Sequence, residues 1–179
     1  MKFKYLFGAI LTNFYRFFRI FPNSDPIMGF ALPAAKNEPW WKGALFAFAV
    51  MFSFDIITGH LGLWTLVTSL TYSAVIMLFH FFLKNKESTM KLFLGSGAVA
   101  VLIFDFITGP IMSSFMFNQP FIVTLIMQIP FTLLHIVSVS FSILIISPFL
   151  DPQLNKEMSR HVSSVKTLTR NLVVYLKNA

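Results

Sequence analysis

Apolar residues run through this chain in long blocks, broken by short polar links. Residues 4–21 form the first block, interrupted by Arg16 and Arg19. PNSDP follows at 22–26 and reads as a turn by its prolines, Asn and Ser. Residues 27–35 are apolar but too few to cross a bilayer alone, which predicts a tilted or partial helix lined by protein. Residues 40–57 make a full span, with Trp40 and Trp41 as interface anchors. Residues 61–83, 90–107 and 120–146 complete the set, and Pro130 predicts a kink in the last. The reading is an all-α, polytopic membrane protein of about six transmembrane or partly spanning helices. It comprises a helical bundle over 1–152 and a basic tail over 153–179.

Composition agrees with the pattern. Apolar residues are 56% of the chain and charged residues 12%, more apolar surface than a soluble domain of this size can bury. A net charge of +7 suggests nucleic acid for a soluble protein. Here the basic groups sit between apolar runs, which favours a bilayer partner and no nucleic acid. Cysteine is absent, so disulfides, thiolate chemistry and Cys-type metal sites are excluded.

Lysine and arginine set an orientation. Lys2, Lys4, Lys36, Lys42, Lys84, Lys86, Lys91 and the basic tail fall on one side of a six-segment layout. That side is cytoplasmic by the positive-inside rule, with both termini inside and the protein in the cell (inner) membrane. Arg16 and Arg19 lie in the outer half of the first block, where they snorkel outward or face a polar interior.

Two stretches share one pattern: FDIITG at 54–59 and FDFITG at 104–109. Their offset covers two segments, so both run inside to outside, as a parallel internal repeat or as local convergence. In one reading Asp55 and Asp105 hold helix-end turns, with Thr58 and Thr108 as partners and Gly59 and Gly109 left-handed. In the other they line a polar mouth with Arg16 and Arg19. The two roles are compatible.

Polar residues mark faces. Thr124, Gln128, Thr132, His135, Ser138 and Ser142 recur at helical spacing and predict an inward face. Thr124 and Gln128 are the candidate ligand contacts there, and His135 reads as a packing histidine near mid-membrane. Trp64, Thr65, Thr68, Ser69 and Tyr72 crowd the outer half of their segment. Trp64 and Tyr72 suit stacking, or Trp64 the outer aromatic belt; Asn118, Gln128 and the acids suit hydrogen bonding. Gly8 and Thr12, four apart, form a small-residue pair for helix docking. Met158, Val162, Val165, Leu168, Leu172 and Leu176 make the tail an amphipathic cationic helix, for the inner leaflet or a partner. No P-loop, HExxH, GxSxG or histidine ligand set is present, so no catalytic group, metal or cofactor is expected and the chain does not read as an enzyme.

Pro22, Asn23, Pro26, Ile27, Asp55, Thr58, Gly59, Trp64 and Thr65, with the exit ISPFLDPQL, carry a resemblance. Over about residues 5–152 the chain resembles the substrate-binding S components of energy-coupling factor (ECF) transporters, in the subgroup of unassigned substrate. The resemblance implies a vitamin or micronutrient binder for uptake, with an outward-open pocket that includes Asn23. It implies docking on a coupling membrane subunit and ATPase subunits. Gly8 and Thr12 stand where that family often has an Ala-xxx-Ala docking pair. The alternative is a non-transporting scaffold of envelope machinery similar to the rod-shape determinant MreD, with the tail as contact surface.

Overall fold

A computed structural model describes residues 3–18 and 25–178; for residues 165 and 170–178 it describes the backbone only. Eight α-helices and one π-helical turn make up the described chain. They are α1 (Phe3–Phe18), α2 (Ile27–Asn37), α3 (Trp40–Thr58), α4 (Leu63–Leu83), α5 (Met90–Phe106), the π-turn (Ile107–Ile111), α6 (Met112–Phe117), α7 (Phe121–Leu150) and α8 (Pro152–Asn178). No strand occurs among the described residues.

Four runs are long and apolar enough to cross a membrane: Trp40–Thr58, Leu63–Leu83, Met90–Phe117 and Phe121–Leu150. This is fewer than the six segments read from the apolar blocks. Described α1 is 16 residues and α2 only 11, against the roughly 20 that a ~30 Å hydrocarbon layer asks for. The end of the first apolar block, with Arg19 and Asn23, lies outside the described residues. Large exposed side chains such as Phe14, Leu70, Phe115 and Phe149 give the bundle an apolar exterior suited to lipid.

The short helix is the centre of the bundle. Every residue of α2 from Ile27 to Ala35 is buried, and it packs on α1, α3, α4, α5 and α7. A helix apolar all round belongs inside other helices. Its backbone is completed by neighbours. Pro33 has no N–H, so the carbonyl four residues earlier, on Gly29, loses its helical donor. The hydroxyl of Ser147 on α7 donates to that carbonyl at 3.0 Å. Gly29 permits this approach: a Cβ there would stand 2.6 Å from the Ser142 carbonyl oxygen.

One end of the bundle is tied by an acid. Asp151 is buried between α7 and α8 and accepts from the backbone N–H groups of Gln153 (2.9 Å) and Leu154 (3.1 Å), which caps α8. Its other oxygen accepts from Ser88 Oγ at 2.7 Å and Asn37 Nδ2 at 3.0 Å. Lys36 donates to the carbonyls of Leu83 and Lys86 at the same end. Leu154 is fully buried in the core, and Glu157 accepts from Met90 N–H at 2.8 Å. The tail helix therefore begins as part of the bundle; further along, Val162 and Leu168 are exposed.

The two copies of the shared pattern end differently. In the first, Gly59 takes φ +71° and closes α3, as expected. In the second, the helix does not stop at Gly109. Pro110 removes one backbone donor, the ladder widens into a π-turn, and α6 carries on to Phe117. Only there does the chain turn, through left-handed Asn118 (φ 51°). The residues after the pattern explain this: HLG comes after Gly59, whereas apolar PIMSSFMF comes after Gly109. Thr108 and Gly109 thus lie within a continuing helix rather than at its end. The equivalence of helix ends that a parallel repeat predicts is absent between these copies.

Candidate functional site

Continuing the helix moves Asp105 away from the bundle end. It sits past the middle of the 28-residue run Met90–Phe117, and His135 lies halfway along the 30 residues of α7. Asp25 directly precedes Pro26 and the first turn of half-length α2, so it enters the bundle at similar depth. The three side chains meet there. His135 Nδ1 lies 2.9 Å from Asp105 Oδ1, and His135 Nε2 lies 3.7 Å from Asp25 Oδ2. The first is a hydrogen bond; the second is ion-pair range.

Asp25 is anchored by two further donors. Asp25 Oδ1 accepts from Ile27 N–H at 3.0 Å, satisfying a free donor of α2's first turn. It also accepts from the hydroxyl of Tyr72 at 3.2 Å. Tyr72 is fully buried, with its ring 4.7 Å from that of Phe104. Phe104 in turn meets the His135 ring edge-on at 6.1 Å. Arg16 supplies positive charge within electrostatic reach of Asp25 and Tyr72. Its guanidinium lies over the Phe54 ring at 4.2 Å and touches Met51 Sδ at 3.2 Å.

Beside this cluster runs a half-open cavity of about 610 Å³ between α1 and α7, whose α7 wall includes the exposed Leu134, Val137, Phe141 and Ile145. Leu11 and Tyr15 of α1 form one wall, and Leu134, Val137, Ser138, Phe141, Ser142, Ile145 and Ile146 of α7 the other, with Asp25 and Pro26 alongside. The lining is apolar apart from one carboxylate, a phenol and two serine hydroxyls. Such a half-open cavity suits an organic molecule with few polar groups. Among the described residues, no three His, Cys, Asp or Glu side chains are placed to hold a metal ion. The two carboxylates face opposite nitrogens of the His135 ring and do not converge on one point.

The polar mouth expected from the sequence is partly assembled and partly dispersed. Tyr72 and Asp105 gather at the cluster as buried neighbours of Asp25 and His135, and half-buried Arg16 stands within electrostatic reach of Asp25. Asp55 stands in the last turn of α3, half-buried, away from them. Trp64 is exposed at the start of α4 and packs near Phe117 at 6.1 Å. Asn118 is an exposed turn residue. Gln128 lies against Gly109 and donates to Thr132 at 3.4 Å. Thr58 and Thr108 donate to the carbonyls of Phe54 and Phe104, the same back-bond at 2.9 Å in each copy.

Gly8 and Thr12 are buried against the bundle rather than presented to a partner. A Cβ on Gly8 would stand 2.6 Å from the Phe30 ring, so the small residue lets α1 close on α2.

Two members of the cluster do not stand out in the sequence as site residues. Asp25 is one letter of the PNSDP turn, and His135 has the look of a packing residue. The available signal is their setting: an acid between two prolines at the mouth of a too-short apolar segment, and a histidine amid a long apolar helix. Across known families, curated proteins and solved structures, nothing matches the chain.

Proposed function

We propose that this chain is the membrane-embedded solute-binding component of an ECF-type importer for a vitamin or other micronutrient. The observation that carries the reading is the 610 Å³ cavity with Asp25 in its wall, a size in the range of small-molecule sites. The resemblance of its loop motifs to ECF S components supports the same assignment. On this reading Tyr15, Asp25, Ser138 and Ser142 contact the solute, and Tyr72, Asp105, His135 and Arg16 hold Asp25 in place. The protein performs no bond chemistry of its own. A coupling membrane subunit and ATPase subunits drive uptake, in the inner membrane with both termini cytoplasmic.

Mass spectrometry of small molecules released from the purified protein tests the assignment. A retained solute, together with copurified coupling and ATPase subunits, is the expected result. Protein that holds no molecule and associates only with envelope proteins overturns it. That outcome favours the MreD-like scaffold, for which the exposed Val162 and Leu168 of α8 are a contact surface. Orientation is checked by accessibility labelling. Positions 60 and 118 are expected outside and positions 86 and 166 inside; the reverse pattern inverts the topology.

A further inference from the structure

Both ring nitrogens of His135 face a carboxylate oxygen: Nδ1 meets Asp105 at 2.9 Å and Nε2 meets Asp25 at 3.7 Å. A neutral imidazole has one N–H and one lone pair. Whichever tautomer forms, it turns a lone pair on one carboxylate. Only the ring carrying both protons offers a donor to each side. From this geometry we infer that Asp25, His135 and Asp105 form a proton-binding site at mid-depth of the bundle, an imidazolium clamped between two carboxylates.

The surrounding groups fit that occupant. The N–H of Ile27 and the hydroxyl of Tyr72 both donate to Asp25 Oδ1, an arrangement that holds Asp25 as carboxylate. An imidazole is ordinarily more basic than a carboxylate, so between His135 and Asp105 the shared proton is assigned to the ring. His135 is buried, and among the described residues neither its Nε2 nor Asp105 Oδ2 has a hydrogen-bond partner. Two carboxylates and one imidazolium leave a charge of about −1, which Arg16 offsets from α1. Among the described residues, the titratable and charged side chains of the cluster and the cavity beside it are Asp25, Asp105, His135, Tyr72 from α4, and Arg16 and Tyr15 from α1. The π-turn and α6 contribute none.

Asp25 also gives the proton a route. It is the most exposed of the three, at 13% against 5% for His135 and 6% for Asp105, and it alone of the three lines the cavity. A proton leaving Nε2 passes to Asp25 Oδ2 and then to the half-open cavity that Asp25 lines. Whatever occupies the chamber beside Asp25 thereby shares a group with the proton. The inference rests on ring geometry and stands whether or not the chamber binds a solute.

Nitrogen-15 NMR of histidine-labelled, full-length protein in lipid nanodiscs reads the ring directly. Of the four histidines, the signals lost in His135→Gln identify this one. At about pH 7.5, where an ordinary histidine is mostly neutral, both His135 nitrogens are expected to carry hydrogen. A ring with a single N–H at that pH overturns the site without any variant having to fold. Asp25→Asn keeps an acceptor for Tyr72 and Ile27 and removes one charge. His135 is then expected to lose one ring proton, and an unchanged doubly protonated ring in that variant also overturns the proposal.

Discussion

FDIITG and FDFITG differ by one apolar side chain, yet one ends a helix and the other sits in the middle of one. The threonines do the same thing in both, back-bonding to a carbonyl one turn earlier. The glycines and aspartates do not. Gly59 is left-handed with open space around it; Gly109 is right-handed and close against Gln128. Asp55 is half-buried at a bundle end, and Asp105 is buried on His135. A local motif therefore encodes the bond it makes within its own turn. Its depth in the membrane, and hence the chemistry of its acid, is decided by the residues that come next in the chain.

The sharpest test compares the acids. Asp105→Ala leaves His135 without its hydrogen-bonded carboxylate, and breaking a buried charged pair costs about 3–5 kcal/mol. Asp55→Ala is expected to change stability by less than about 0.5 kcal/mol. Unfolding in detergent, followed by circular dichroism, measures both; equal losses would erase the contrast.

The glycines come next. Gly59→Ala forces a side chain into φ +71° and is expected to cost about 1 kcal/mol or somewhat more, whatever its neighbours. Gly109→Ala puts a Cβ 2.5 Å from Gln128 Oε1, which displaces a flexible side chain at a cost of about 1 kcal/mol. The two penalties have different origins, and a second substitution separates them. In a Gln128→Ala background the Gly109→Ala penalty is expected to vanish and the Gly59→Ala penalty to persist. If both persist, Gly109 carries backbone strain like its counterpart.

The smallest effect concerns the bond that the copies share. Thr58→Val and Thr108→Val each remove one hydroxyl back-bond and are expected to cost about 0.5–1 kcal/mol, equally within error. A much larger loss at Thr108 would mean that its hydroxyl braces the π-turn as well.

Much of the architecture is legible from hydrophobic spacing. The all-helical bundle, the boundaries of α3 and α4, the short α2 and the amphipathic tail are all periodicity or block length, which a sequence displays directly. The Gly59 turn is equally visible, because Gly59 and Gly62, three positions apart, punctuate the end of an apolar run. The second helix end is not legible in the same way, because the pattern matches the first copy and Pro110 looks like a stop. In the structure the chain absorbs that proline in a π-turn, and the apolar residues 111–117 carry the helix on.

The site itself came from tertiary structure. Sequence alone determined which side chains are scarce and polar in an apolar chain: two aspartates in a repeated motif, a histidine on a polar stripe, an acid between prolines. It did not say which of them meet. Asp25 and His135 are 110 positions apart, and their encounter depends on α2 being short enough to begin at mid-depth. Asp105 joins them only because its helix runs on past Gly109. Pairing in a low-dielectric interior is decided by depth and direction, and those depend on how whole helices pack, which no local pattern encodes.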